Sequence, residues 1–442
     1  MAATDPQHSP TNRHRLIVRH LSRDGVIGVD AAGALPRFET EDRHTADVDH
    51  INDEVASRYG LRTTVLRSLL HGDVRDGVVE RAHELQTHGA ADSALVWRPA
   101  TSLEPVDAAD RAALDAWRAP FAIADGRDWM TPGWLARACE WIESTLRRAG
   151  QPAPSTIRQL RTWASSCVLQ VDYGDATAYF KALPENGAEF AVTRWLANEF
   201  PGRAAPLLGA DVTHRWLLLG ACAGRALETV DDVAAWAIAA RRYGDLQLAC
   251  ASRTDALRGL GCPTRSLALL PEALDALIDD AAALRFGLDG LTAEENARLR
   301  VIGPTLAGRC AELAAIGIPD SIEHGDLWPG NVFVDGAASA IIDWEDVAIA
   351  HPFLSLAPLV VGLGNTSLAT AANVARLEVE YASAFESILS ADGVRRALDL
   401  AAPLCFFDMA VRYRSQRASV ARLHPWMRDL VPQTVRLALA RL

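Results

Sequence analysis

Apolar residues recur along the chain in two rhythms, and the change between them marks out its parts. Between residues 15 and 100 short apolar runs, Leu16-Ile17-Val18 and Val26-Ile27-Gly28-Val29, read as strands. Leu35-Pro36 follows, then a helical spacing over residues 45–59 closed by Gly60, which suits a helix C-terminus. Residues 1–14 are polar, carry two prolines and show no period, so disorder is expected there. Residues 101–150 read as a helical linker, with one helix near 107–117 and an amphipathic one over 131–149. In the second, Thr131 is the expected cap, Pro132 the first helical residue, and Leu135, Cys139, Trp141, Ile142 and Leu146 the apolar stripe. Strand rhythm returns at 167–171 and 176–182, followed by a helix over 188–200 and a strand at 215–219. Beyond Val230 the period is helical over 230–251, 271–284, 292–316, 370–389, 393–420 and 428–442.

The helical half is interrupted once, and the interruption holds the chemistry. It runs His324-Gly325-Asp326-Leu327-Trp328-Pro329-Gly330-Asn331, then Val332-Phe333-Val334 and Ile341-Ile342-Asp343-Trp344-Glu345. Two short strands flanking Asp335-Gly336 predict a hairpin, because an Asp-Gly pair between apolar runs favours a primed turn. Such a hairpin carries Asn331 and Asp343 to one edge beside Asp326. Two carboxylates and an amide are hard oxygen ligands, which suit Mg²⁺ rather than zinc. One carboxylate is left to accept a proton from a hydroxyl.

H-x-D-x-x-x-x-N followed by I-D-W resembles the aminoglycoside phosphotransferase family, which shares the protein-kinase-like fold. The resemblance implies that Asp326 is the catalytic base and that Asn331 and Asp343 hold Mg²⁺ on ATP. Gly325 stands where protein kinases have arginine, and Trp344-Glu345 replaces Phe-Gly. Upstream, Lys181 ends a strand within an apolar run; it is either a solvated strand residue or the lysine that reaches the ATP phosphates. Glu189, on the inward face of the next helix with Val192 and Leu196, is its natural partner, with Glu199 as runner-up. The segment Trp163-Ala164-Ser165-Ser166 is a candidate loop over the phosphates through Ser165 and Ser166, although no glycine-rich phosphate motif is present. Gly220, Ala221 and Cys222 follow a buried strand and suit a hinge whose backbone meets adenine.

Strand, strand, Leu-Pro, helix and Gly-Leu in residues 15–100 resemble a Nudix domain. The family's metal-binding glutamates fall on Ser57 and Arg58 here, so a degenerate domain without pyrophosphate hydrolysis is expected.

Composition narrows the partners. Hydrophobic residues at 49% and charged residues at 23% describe an ordinary globular protein, and a formal charge of −12 argues against a nucleic-acid partner. Seven cysteines without a C-x-x-C pair predict reduced thiols and no zinc site. No apolar run spans a bilayer and the first residues lack a signal-peptide pattern, so a cytoplasmic protein is expected. Together these readings predict an α+β chain: a small α/β Nudix-like domain over 15–100, a linker over 101–150, and a bilobal kinase-like domain with lobes at 151–228 and 229–442. The expected activity is ATP- and Mg²⁺-dependent transfer to the hydroxyl of a small molecule such as an amino sugar, aminoglycoside or sugar. The rival is a nucleotide-binding pseudo-kinase that performs no transfer.

Overall fold

The computed structural model describes residues 11–41, 44, 46–72, 74–89, 94–119, 127–287, 290–420, 427 and 429–442. Its strands and helices gather into two compact units. One comprises residues 1–185, 208–219 and 419–427; the other comprises 186–207, 220–418 and 428–442.

The first unit begins with a mixed sheet. Its strands are β1 (Thr11–Arg19), β2 (Val26–Val29), β3 (Arg37–Thr40), β4 (Arg62–His71), β5 (Val78–His88) and β6 (Val96–Pro99). The order is β4-β5-β1-β2-β6, with β3 also paired to β1. The central pair β1–β5 is parallel and the other pairs are antiparallel. Alternation along β1 feeds two cores. Leu16 and Val18 pack with Ile51 and Val55 of α1 (Asp49–Tyr59), whereas Ile17 packs with Ala113 and Leu114 of α2 (Ala108–Arg118). Helix α2, expected in a linker, thus forms the second layer of this sheet, tied down by Arg15 to Asp107 at 3.0 Å and to Asp110 at 3.3 Å.

Strand β1 corrects the expected disorder of residues 1–14, because residues 11–14 form its first half. Hydropathy hid them, since Asn12 and His14 are buried through polar partners. Asn12 Nδ2 donates to the Glu41 carbonyl, and His14 bonds His83 at 3.1 Å and Thr40 at 3.0 Å. Residues 1–10 lie outside the described chain.

Helix α3 (Trp134–Arg148) starts three residues later than expected, since Gly133 in the left-handed region (φ +86°) precedes it. It packs Trp134, Ile142 and Leu146 against a second sheet, joined by Trp129. That sheet holds β7 (Thr156–Thr162), β8 (Cys167–Tyr173), β9 (Ala176–Ala182), β10 (Leu207–Asp211) and β11 (Trp216–Gly220), in the order β10-β11-β9-β8-β7.

Edge strand β7 meets the N-terminal sheet. Val48 N donates to the Leu160 carbonyl at 2.9 Å, and Thr162 N donates to the Ala46 carbonyl at 3.0 Å. The Gln159 side chain behaves like a peptide group. Its Oε1 accepts from Val65 N at 2.8 Å, and its Nε2 donates to the Val65 carbonyl at 2.9 Å. Next to Val65 the β4–β5 pairing shifts register, and Leu66 joins the tryptophan core of the second sheet.

The second unit is mostly helical: α4 (Glu189–Glu199), α5 (Val233–Ala251), α6 (Thr254–Gly259), α7 (Leu270–Ile278), α8 (Ala293–Ala315), α9 (Leu356–Gly364), α10 (Ala371–Ser383), α11 (Ala391–Val420) and α12 (Leu430–Leu439). Helix α8 opens on a capping box between Thr292 and Glu295. Short strands β12 (Arg225–Ala226), β13 (Thr264–Arg265), β14 (Ser321–Glu323), β15 (Val332–Asp335), β16 (Ala338–Ile341) and β17 (Ala348–Ala350) frame the interruption. Strand β15 pairs with β12 and β16, and β17 pairs with β13 and β14. Gln247 of α5, fully buried, donates to the Ile322 and Pro352 carbonyls at 3.0 Å each and accepts from Tyr381 at 2.6 Å. The amide thereby anchors β14, the strand that leads into His324–Asn331. All seven cysteines are free, as expected. Among the described residues no helix is long and apolar enough to cross a membrane.

Candidate active site

The expected hairpin forms. Strands β15 and β16 pair from Val332↔Ile341 to Asp335↔Ala338, and Gly336 supplies the positive φ (+55°) of the turn. Just outside the first pair, Ile342 N donates to the Asn331 carbonyl at 3.0 Å, so Asn331 and Asp343 stand at one end of the hairpin. The Asn331 side-chain amide donates to the Asp326 carbonyl at 2.9 Å. With its nitrogen so used, the oxygen of that amide is the group left for a ligand. Asp343 takes a left-handed backbone (φ +65°), which aspartate tolerates better than most residues.

His324 braces the turn. Burial pushes its pKa down to about 4, so the ring is neutral. Nε2–H then donates to the Ile342 carbonyl at 2.9 Å, and Nδ1 accepts from Asp326 N at 3.2 Å. The ring also rests on Trp344, 4.7 Å between centroids. Gly325 has φ +83°, and a Cβ there would lie 2.5 Å from the Asp346 carbonyl oxygen. Glycine at this position follows from sterics.

Asp326 is half-buried. Burial, reinforced by the charge of Asp346, pushes its pKa up to about 7, while Arg412 pulls the other way. Beneath the turn lies a charged network that sequence reasoning missed. Arg412 of α11 donates to the Gly325 carbonyl, pairs with Asp346 at 2.9 Å and reaches Asp408 at 3.3 Å. Arg265 reaches Glu323 and Asp408, each at 3.2 Å, and donates to the Asp346 carbonyl. Burial would raise the Asp346 pKa, but Arg412 and Arg265 outweigh it and hold the group below the usual carboxylate range. A signal existed: Asp408 and Arg412 are one helical turn apart in the otherwise apolar stretch Leu404-Cys405-Phe406-Phe407-Asp408-Met409-Ala410-Val411-Arg412.

Asp343 belongs to a carboxylate group with Glu189 and Glu345, whose nearest ligand oxygens lie within 4.8 Å of one another. This is the only cluster of metal-ligand type among the described residues. Its donors are hard oxygens without sulfur or imidazole, a set that fits Mg²⁺. Glu189, whose expected partner is Lys181, stands at the buried start of α4 and belongs to this group as well. Glu199, the runner-up, points outward to Arg253 in an exposed ion pair at 2.9 Å.

The remaining candidates belong to other elements of the chain. Lys181 lies near the end of β9, buried and opposite Val168 of β8. Ser165 and Ser166 form the β7–β8 turn, but the Ser166 hydroxyl accepts from the Trp163 indole at 3.1 Å. Gly220, Ala221 and Cys222 begin where the first unit gives way to the second, between Leu219 and Gly220. Gly220 N donates to the Pro206 carbonyl at 2.7 Å, so that amide is engaged within the protein.

The sequence pattern of the phosphotransferase enzyme family, APH, matches residues 158–397, just over half of the chain. This chain belongs to that family. It is a small-molecule kinase with the family's protein-kinase-like α+β fold, and the match includes the catalytic stretch. Similar solved structures include a choline/ethanolamine kinase family protein from Mesorhizobium loti at 17% identity, covering 70% of this chain and 94% of that one, with a TM-score of 0.49. Choline kinase LicA from Streptococcus pneumoniae is 13% identical, covering 69% of this chain and 100% of that one, at a TM-score of 0.47. Spectinomycin phosphotransferase in complex with ADP and spectinomycin is 11% identical, covering 69% and 98%, at 0.43. No curated protein matches the chain.

Proposed function

We propose that this phosphotransferase uses Mg·ATP to phosphorylate a hydroxyl of an amino sugar, aminoglycoside or sugar. The observation that carries this reading is the junction of Asp326, Asn331 and Asp343. The Asn331 amide is bonded to the Asp326 carbonyl, and Asn331 is bonded in turn to the residue before Asp343. In this reading Asp326 orients the acceptor hydroxyl and takes its proton. Its environment favours such a role, because a carboxylate in an apolar setting beside another negative charge is a stronger base. Asn331 and Asp343 hold Mg²⁺, which neutralises the phosphate charge that builds up in the transition state. Lys181 anchors the phosphates of ATP, and the β7–β8 turn lies over them. Arg412 keeps the Gly325 carbonyl and Asp346 fixed, so that Asp326 needs little reorganisation when the acceptor binds.

The N-terminal sheet is proposed to be a Nudix-like domain that has lost hydrolysis. Ser57 is exposed, Arg58 pairs with Glu54 of its own helix, and among the described residues no metal-type carboxylate cluster lies in this sheet.

The test incubates the purified protein with Mg·ATP and a panel of amino sugars, aminoglycosides and sugars, and reads products by mass spectrometry. A product heavier by one phosphoryl group, lost in Asp326→Asn, is the expected result. ATP binding without any phosphorylated product across the panel would favour a pseudo-kinase instead.

A further inference from the structure

The β7–β8 turn is held by parts of the chain that precede the kinase-like region. Inside the turn, Trp163 N donates to the Ser166 carbonyl at 3.0 Å and the Trp163 indole donates to the Ser166 hydroxyl. Those bonds close the loop but do not fix where it points. Three outside contacts do. The Arg127 guanidinium donates to the Ala164 carbonyl, the buried Trp129 indole donates to the Trp163 carbonyl at 3.1 Å, and Thr162 N donates to the Ala46 carbonyl at 3.0 Å. Three residues before Thr162, Gln159 locks β7 to Val65 through both ends of its amide and also lies 3.6 Å from Cys167 Sγ, the residue just after the turn. The Ser165 hydroxyl oxygen is buried and has no hydrogen-bond partner among the described residues. A buried hydroxyl in that state is costly unless a ligand bonds to it, and a phosphate oxygen is a suitable acceptor.

We infer that the region before residue 150 is part of the nucleotide-binding machinery: Arg127 and Trp129, together with Gln159 of β7, which docks on Val65, are positioning residues that aim the β7–β8 turn at the phosphates of ATP. The inference rests on the reading of that turn as the loop over the phosphates. It assigns the N-terminal sheet a task at the nucleotide end of the reaction, where the only work asked of it is to hold a loop still. Preorganising a loop removes its ordering cost from the binding step, so loosening the loop lowers affinity without removing any group that touches the ligand.

The experiment measures Mg·ATP affinity by calorimetry on the full chain, with a thermal melt for each variant as a check of folding. Wild type should bind, and Ser165→Ala should weaken binding. Arg127→Met and Gln159→Met should each weaken it about 3- to 10-fold, the usual worth of one net hydrogen bond. Arg127→Lys, which can still donate to the Ala164 carbonyl, should stay within about 2-fold of wild type by the same reckoning. Hydrogen exchange at residues 163–166 should quicken in Arg127→Met and slow again in Arg127→Lys. If wild type binds and Ser165→Ala weakens binding, but folded Arg127→Met and Gln159→Met bind as wild type, the positioning role is overturned. If Ser165→Ala binds as wild type, the turn does not face the nucleotide and the inference falls with its premise. A wild type that ignores Mg·ATP overturns the kinase reading itself.

Discussion

Asp326, the proposed base, and Asp343, the proposed metal ligand, have different surroundings. Asp343 shares its site with Glu189 and Glu345, whereas Asp326 sits over the Arg412 network with a raised pKa. Asp343→Asn should therefore impair both Mg·ATP binding and turnover. Asp326→Asn should leave Mg·ATP binding nearly intact and cut kcat by about 10²- to 10⁴-fold, the range for a positioned base. A loose phosphoryl-transfer transition state makes the lower end the expectation. Calorimetry beside steady-state kinetics reads both, and equal loss of nucleotide binding would refute the division of labour. Arg412 makes a second residue-level case. Replacing it by methionine removes the ion pair of the Asp346 carboxylate and leaves Asp408 to Arg265 alone, and losing one member of a buried pair costs about 3–5 kcal/mol. Urea unfolding of Arg412→Met would measure that loss; a change below about 1 kcal/mol would mean the guanidinium is no more than a surface charge.

Elements carry their own lesson about what the chain reveals before it folds. The hairpin of β15 and β16 was legible because each signal was local: apolar strands, an Asp-Gly turn and ligands at fixed offsets from it. The start of α8 falls where the helical period begins, at Thr292, which the structure shows capping the helix together with Glu295. Strand β7 was not legible. Its sequence Thr156-Ile157-Arg158-Gln159-Leu160-Arg161-Thr162 is too polar to read as a strand, and its edge is satisfied by a glutamine side chain and by residues far back in the chain. Nor was the Asp346–Arg412 pair, because nothing in sequence spacing brings the short turn Trp344–Asp346 and α11 together. Leu66 offers an element-scale test. It leaves its own sheet at the register shift in β4 and fills the core of the next, so Leu66→Ala should cost about 2–5 kcal/mol, as other buried leucine truncations do. Chemical denaturation followed by tryptophan fluorescence reports on that core through Trp129, Trp134 and Trp216; an unchanged midpoint would show that the two sheets do not share it.

At the scale of the whole molecule, the first unit holds a buried histidine network that sets its response to acid. Burial pushes His14 down to about 3 and His83 well below its ordinary value, while both regain their ordinary pKa near 6.5 when the chain unfolds. The unfolded state therefore takes up protons first. Stability is unaffected well above pH 6.5 and falls as the pH drops below it, by up to about 1.4 kcal/mol per pH unit for each such histidine. Thermal melts between pH 7.5 and 5 should show an early loss of this unit. His83→Gln should flatten the slope, and equal slopes in variant and wild type would rule the histidine out as its source.

The same unit shows what happens if the chain is shortened. A minimal kinase cut at residue 150 keeps β7 as the outermost strand of its sheet and removes Ala46, Val48 and Val65, the residues that occupy its outer side. An uncovered edge strand is a template on which another molecule can add a strand of its own. Loss of Leu66 also leaves a gap in the adjoining core. Such a fragment should gather into oligomers and precipitate as its concentration rises, so that the lower limit for a well-behaved catalytic fragment is set by solubility before it is set by catalysis.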